Sequence, residues 1–216
     1  MSTHETSLTV DGRTLGRRGV LTRRRLLDAT AALLRTHGIR DLRVVEITRA
    51  VGSSPATFYQ YFRDVPDAVL ALAEEVGEDL APIGEVLTVD WDGVDGLDAA
   101  RRLVDRFITY WDEHRAVLRT RNLAAQEGDE RFRAVRNAAL LPLLEGIAAR
   151  IRRAQAAGRV SPHLSATAAA AALMAMLERM AAFHVDLAAF GASRADVVET
   201  TARIVFETVT GSRAAD

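Results

Sequence analysis

Residues 44–62, VVEITRAVGSSPATFYQYF, decide how the rest of the chain is read. Val44, Ile47 and Val51 recur at helical spacing, and Gly52 then supplies the left-handed backbone that ends a helix. Ser54 followed by Pro55 is a start signal, because the hydroxyl can cap free amides and a proline in the first turn lacks an N–H that has no helical partner anyway. From Pro55 onward Phe58 and Phe62 fall on one face, which predicts that they anchor a short second helix to the core. Ala56, Thr57, Tyr59, Gln60 and Tyr61 are then left pointing largely elsewhere. A helix, a glycine turn and a short polar and aromatic helix make a helix-turn-helix signature, whose second helix can lie in the major groove of DNA.

This segment resembles the DNA-binding region of the TetR family of one-component transcriptional repressors. The match runs through Ile47, Gly52, Ser54, Thr57, Phe58, Tyr59, Tyr61 and Phe62, with the T-F-Y-x-Y-F run its most specific part. The resemblance implies an all-α chain: a three-helix DNA-binding domain with the helix-turn-helix, then a C-terminal helical domain for effector binding and dimerisation. It also implies a ligand-responsive repressor that binds a palindromic operator as a homodimer and is released by a small molecule. Two positions depart from the family pattern. The turn Arg63-Asp64-Val65-Pro66-Asp67 has no Lys to grip a phosphate, and Arg43 stands where a capping Thr is common.

The composition fits this reading. With 216 residues, 49% of them hydrophobic, the chain can bury a core, and with no cysteine it has neither disulfides nor thiolate chemistry. Its first ten residues are polar, unlike a secretory signal. The longest charge-free apolar run, residues 166–177, is shorter than a bilayer span, so no membrane partner and a cytoplasmic location are expected. The net charge of −1 hides a segregation: residues 1–65 hold eleven Arg against six carboxylates, and residues 66–216 hold seventeen against twenty-three. A basic first third joined to an acidic remainder suits a module that meets phosphate and one that does not. All the basic residues are Arg, which suits bidentate phosphate and guanine contacts.

In chain order, residues 1–20 read as a flexible basic arm, with Gly12, Gly16 and Gly19 among Arg13, Arg17 and Arg18. Two roles stay open for it, a plain tail or an arm that reaches phosphates or the minor groove. A first helix is expected from Thr22, as its cap, to His37, with Leu26, Thr30, Leu33 and Leu34 on one face and Gly38 as its stop. Arg23, Arg24 and Arg25 would then crowd the positive end of its dipole, a costly placement that points to phosphate. The DNA-binding domain is set at residues 21–65, and its contact candidates are Arg17, Arg18, Thr22, Arg23, Arg43, Ser53, Ser54, Ala56, Thr57, Tyr59, Gln60 and Tyr61.

Residues 66–216 form the expected effector and dimerisation domain. Helices are predicted near 66–81, 95–113, 115–126, 129–157, 165–189 and 194–210, with Pro142 kinking or dividing the fourth of these and residues 87–92 a loop. In the family the last two helices make a four-helix dimer interface. The small residues of 166–182 and the run Val197, Val198, Thr201, Ile204, Val205 and Val209 would supply it here. A family-type effector pocket would draw on Phe107, Tyr110, Trp111, His114, Asn122, Met174, Met180, Phe183 and His184, all of which could equally be core. Few of these are charged, which favours a lipophilic or aromatic effector.

Enzyme chemistry finds no footing. There is no G-x-S-x-G elbow, phosphate-binding glycine loop, H-E-x-x-H or Glu-x-x-His pattern, so no catalytic residue, metal or cofactor is assigned. The partners expected are double-stranded DNA, a second copy of the chain and a small effector. Two alternatives remain at this stage: a DNA-binding protein of this fold regulated by a protein partner, and one whose effector domain is only an interaction module.

Overall fold

The computed structural model describes residues 9–92 and 95–213, and among them the regular elements are all helical. Residues 1–8 of the expected arm and the predicted break at Gly93 lie outside these described residues. The chain groups into two compact units, residues 1–76 with 116–136, and residues 77–115 with 137–216.

The first unit holds α1 (Arg17–Leu33), α2 (Val44–Ala50), α3 (Pro55–Tyr61), most of α4 (Val65–Glu78), the end of α6 (Gly96–Gln126) and the start of α7 (Glu130–Ala156). Its core takes Leu26 and Leu27 from α1, Ile47 from α2, Phe58 from α3 and Leu118 and Phe132 from the later segment. Gly52 has φ +65 and turns the chain out of α2, as its position predicts.

Three expectations for this unit are corrected. Thr22 does not cap α1. The helix starts at Arg17 after Gly16 in extended conformation and runs through Gly19, and the Thr22 hydroxyl donates back to the Arg18 carbonyl at 3.0 Å. Arg23, Arg24 and Arg25 therefore lie within the helix rather than at its positive end. At its other end α1 stops at Leu33 instead of reaching His37, and the chain leaves through a turn in which the His37 amide donates to Leu33. The arm is not free along its length: residues 17–20 are helical, and the Val10 amide donates to the Gln60 carbonyl at 3.0 Å.

The second unit holds α5 (Ala81–Gly84), a 3₁₀ turn (Glu85–Leu87), the first part of α6, most of α7, α8 (Ala166–Leu187) and α9 (Arg194–Thr210). The helices predicted at 95–113 and 115–126 are a single helix, α6, since residues 113–116 contain no Gly or Pro to stop it. Pro142 lies inside α7 without dividing it. It sits on an exposed side, where solvent can meet the carbonyl its ring leaves unpaired.

Residues 88–92 are irregular, as expected, but well held. The Trp91 indole is buried and donates to the Val86 carbonyl at 3.1 Å. Arg150 lies over the Trp91 ring, 4.7 Å from its centroid, and donates to the carbonyls of Leu87 and Val89. Burial pushes the Arg150 guanidinium down to about 10. Gly96 is required beside this loop, because a Cβ there would run into the Trp91 carbonyl oxygen.

On α9, Val197, Thr201, Val205 and Val209 are buried within the unit. The expected partner surface therefore narrows to Ile204, 43% exposed, and the half-buried Val198. The α6 to α9 join is ionic. Arg101 grips both oxygens of Glu199, at 2.6 and 2.8 Å, and Arg203 donates to the same carboxylate at 2.6 Å.

Hydrogen bonds from Arg101 and then Arg203 hold the Glu199 carboxyl down to about 2. A depressed carboxylate contributes stability above its unfolded pKa and loses it as the pH falls through the folded value. Glu199→Gln is expected to lower the melting temperature at neutral pH by no more than about 2–4 °C, the pair being over one-third exposed. The difference from the parent should shrink between the ordinary glutamate range and about 2, as thermal melts over a pH series would show.

Candidate nucleic-acid interface and ligand groove

The helix-turn-helix is built from local rules and then fixed by two aromatic rings. The Ser54 hydroxyl accepts from the Thr57 amide at 3.2 Å and shares a 3.0 Å hydrogen bond with the Thr57 hydroxyl, so α3 begins as Ser54 and Pro55 foretell. Phe58 and Phe62, 0% and 2% exposed, stack at 5.4 Å between centroids and hold one side of α3 down. The other side presents Ala56, Tyr59 and Gln60 to solvent, with Thr57 and Tyr61 half-buried. Tyr59 is 52% exposed and meets the edge of Phe58 at 5.7 Å, which steadies a ring that would otherwise swing freely.

The remaining DNA-contact candidates divide. Arg17, Arg18 and Arg43 are exposed, and Thr22 is half-buried with its hydroxyl turned to its own helix. Arg23 is engaged: its Nη1 pairs with Glu75 Oε1 at 3.2 Å and its guanidinium lies over the Phe62 ring at 5.4 Å. Arg24 takes the other Glu75 oxygen at 3.0 Å, and Arg25 donates to the Val51 carbonyl at the end of α2 at 2.9 Å. The Ser53 hydroxyl is enclosed and has no hydrogen-bond partner among the described residues. In the turn after α3, Arg63 is bound to Asp67 at 2.8 Å. Partial burial pushes the Asp67 carboxyl up, but the hydrogen bonds from Arg63 outweigh it and hold the group below the usual carboxylate range. The cation nearest the place of the missing Lys is thus already neutralised.

In the second unit an open groove of ≈ 600 Å³ is lined by Asp79, Ile83, Asp105, Arg106, Thr109, Tyr110, Glu113 and His114. Tyr110 and His114 pack at a tilt with centroids 5.3 Å apart, Phe107 backs Tyr110 at 6.0 Å, and His114 Nε2 reaches Asp79 Oδ2 at 3.3 Å. Only Tyr110 and His114 of the nine pocket candidates line this groove. Trp111 and Met174 are buried in the core, and Met180 is half-buried on α8. Phe183 is 38% exposed beneath the Arg179 guanidinium. His184 is 6% exposed, with Nδ1 3.0 Å from the Ala181 carbonyl and Nε2 3.3 Å from Asp112, so both ring edges are occupied. Asn122 belongs to the first unit, where its side-chain oxygen accepts from Arg121. The polar lining missed by sequence reading had a signal: Asp105, Thr109 and Glu113, beside Arg106, Tyr110 and His114, repeat every four residues along one side of α6.

Comparison with known proteins agrees with this geometry. Residues 26–64 match the model of bacterial regulatory proteins of the tetR family, and residues 83–216 match the tetracyclin repressor-like C-terminal domain. The chain belongs to the TetR family of transcriptional regulators, and α2 and α3 are that family's helix-turn-helix DNA-binding element. Among solved structures it resembles the fatty acid degradation regulator FadR of Bacillus halodurans. The TM-score is 0.65 at 17% identity, covering 92% of this chain and 97% of that one. FadR of Bacillus subtilis in complex with stearoyl-CoA gives 0.65 at 15% identity, covering 88% and 99%. PfmR, a TetR family regulator of Thermus thermophilus, gives 0.63 at 21% identity, covering 88% and 100%. At these identities the likeness is one of fold. Among curated proteins there is no significant match.

The cap that starts α3 provides a direct check on its stability. Ser54→Ala removes the acceptor for the Thr57 amide and is expected to cost about 1 kcal/mol, measured by urea unfolding.

Proposed function

We propose that the protein is a cytoplasmic repressor that binds a palindromic operator as a homodimer and leaves it when a small molecule occupies the effector domain. The observation that carries this is the two-sided character of α3, with Phe58 and Phe62 buried and Ala56, Tyr59 and Gln60 exposed. A helix pinned on one side and polar on the other can enter a major groove without unfolding anything. In this reading Thr57 and Gln60 meet base edges, while Tyr59, Tyr61, Ser54, Arg17, Arg18 and Arg43 meet the backbone. Thr22, Arg23 and Ser53 support these groups from behind.

Dimerisation is supported by α8. The stretch Ala166–Phe190 is long and apolar enough to cross a membrane by length and composition, yet only 33% of its most apolar window is buried. Its uncovered side carries Ala168, Ala171, Ala172 and Ala175, small residues that let a second helix come close. A second copy of the chain is the cover we assign to it, and C2 symmetry would then supply the two recognition helices that a palindrome requires.

The groove along α6 is the effector site we propose, with Tyr110 and His114 in its wall and Phe107 behind Tyr110. Met174, Met180, Phe183, His184, Trp111 and Asn122 lie apart from it and would act on it only through packing. Asp79, Asp105 and Glu113 outnumber Arg106 in the lining, which disfavours phosphate groups, while Ile83 and Tyr110 offer surface to an aromatic or aliphatic body. Stearoyl-CoA, bound in the Bacillus subtilis relative, carries phosphates and is for that reason an instructive negative probe. A ligand that separates His114 from Asp79 acts one residue beyond the end of α4, the helix that follows the recognition helix. Such a ligand releases DNA only by as much as it prefers the arrangement that cannot bind it.

Two measurements test the reading. In operator selection from a random pool, Tyr59→Ala is expected to weaken binding to all recovered sequences alike, and Gln60→Ala to relax the base preference at one position, each by about 1–3 kcal/mol. Operator binding as tight as the parent's in both folded variants would reject α3 as the reading helix. By analytical ultracentrifugation the parent is expected to sediment as a dimer and Ala175→Arg as a monomer, because the substitution buries an unpaired charge.

A further inference from the structure

The arginines at positions 13, 17, 18, 23, 24 and 25 fall into two sets. Arg23 and Arg24 are held by Glu75, Arg24 also by Asp28 at 2.9 Å, and Arg25 by the Val51 carbonyl. Arg13, Arg17 and Arg18 are exposed and have no ion pair or side-chain hydrogen bond among the described residues. Arg17 and Arg18 also stand in the first turn of α1, where no acidic residue balances them and no side chain caps the helix. Cations beside the positive end of a helix dipole cost stability, so these residues do not serve the fold.

The segment that carries them is seated rather than loose. Residues 9–13 form a turn closed by the Thr9 amide on the Arg13 carbonyl and the Arg13 amide on the Thr9 hydroxyl, at 2.9 and 3.0 Å. From this turn Val10 donates to the Gln60 carbonyl, one of the last-turn carbonyls of α3 that lack a helical partner. Gly19 lies close to both Leu15 and the Tyr61 hydroxyl, where a Cβ would be 3.0 Å from Leu15 Cδ2 and 3.6 Å from Tyr61. The unpaired cations therefore run beside the C-terminal end of the helix that the family uses to read DNA.

We propose that residues 9–18 form a strap fixed to the end of α3 that lays Arg13, Arg17 and Arg18 on the sugar-phosphate backbone flanking the bases α3 reads. The inference rests on α3 docking in a duplex. Its partner is the phosphate backbone, because guanidinium forks match phosphate oxygens and the free cations are fastened beside an end of α3, itself uncharged. The strap adds affinity equally for all sequences and reads none of them.

The test is a salt titration of the full-length protein on a mixed-sequence duplex of about 30 base pairs, followed by fluorescence anisotropy between about 50 and 200 mM salt. If three phosphate contacts are lost in R13Q/R17Q/R18Q, the slope of log affinity against log salt falls by about 2 to 3, and the variant loses about 40-fold less affinity over that range than the parent. Its melting temperature should hold or rise, since two unfavourable first-turn charges are gone. R24Q/R25Q, at two held arginines outside the contact set, should keep the parent's slope and melt earlier. Val10→Pro, which keeps every arginine but removes the N–H on Gln60, should lose part of the slope.

An R13Q/R17Q/R18Q slope equal to the parent's would overturn the strap, and so would an R24Q/R25Q slope that falls as far as that of the triple variant. A Val10→Pro slope equal to the parent's would overturn the fastening to α3. A parent that binds no duplex at any salt would instead sink the DNA-binding reading beneath it.

Discussion

A helix of seven residues leaves about half of its N–H and C=O groups without a helical partner and does not persist alone in water. For α3 the deficit is made good from outside, by Phe58 and Phe62 sunk into the core and by the Ser54 hydroxyl on the Thr57 amide. Everything exposed on α3 depends on that anchoring. Tyr59 rests on the edge of Phe58, and Arg23 reaches Glu75 across the face of Phe62. The two rings therefore do more than fill volume, because they set the angle at which the reading face leaves the protein.

Much of this was legible from the sequence because it follows short-range rules. Gly52 needs its positive φ, Ser54-Pro55 starts a helix, and two Phe four apart share a side. What escaped was decided at longer range or by the absence of a signal. Thr22 has the chemistry of a cap, but α1 had no reason to wait for it, and its hydroxyl found the Arg18 carbonyl instead. A break at residue 114 had no Gly or Pro behind it, and α6 runs through. In the groove along α6, Tyr110 and His114 are the two residues that the sequence reading also names. The carboxylates opposite them came from Asp79 and from the neighbouring row on α6, and only the folded chain shows which rows face one opening.

Arginine does two kinds of work in the first unit. Buttressed by Glu75, Asp28 and a carbonyl, Arg23, Arg24 and Arg25 tie α1 to α4 and to the end of α2. The same residue type, left unpaired at positions 13, 17 and 18, keeps its full charge for solvent or a phosphate. Composition alone reports one basic region and does not distinguish these sets. The partition is made by where carboxylates fall, and Glu75 makes most of it.

The DNA-reading unit is discontinuous along the chain, and this bears on how the protein is made. Its core draws Leu118 and Phe132 from the 116–136 segment, which is synthesised only after residues 77–115 have been added. The N-terminal helices thus leave the ribosome with part of their apolar side bare and must wait, at about 5–20 residues per second, for the segment that closes it. A fragment cut soon after α3 would carry the whole helix-turn-helix and still lack the pieces that complete its interior. The unit has all of its pieces only once residue 136 of the 216 has been made, well after its helix-turn-helix.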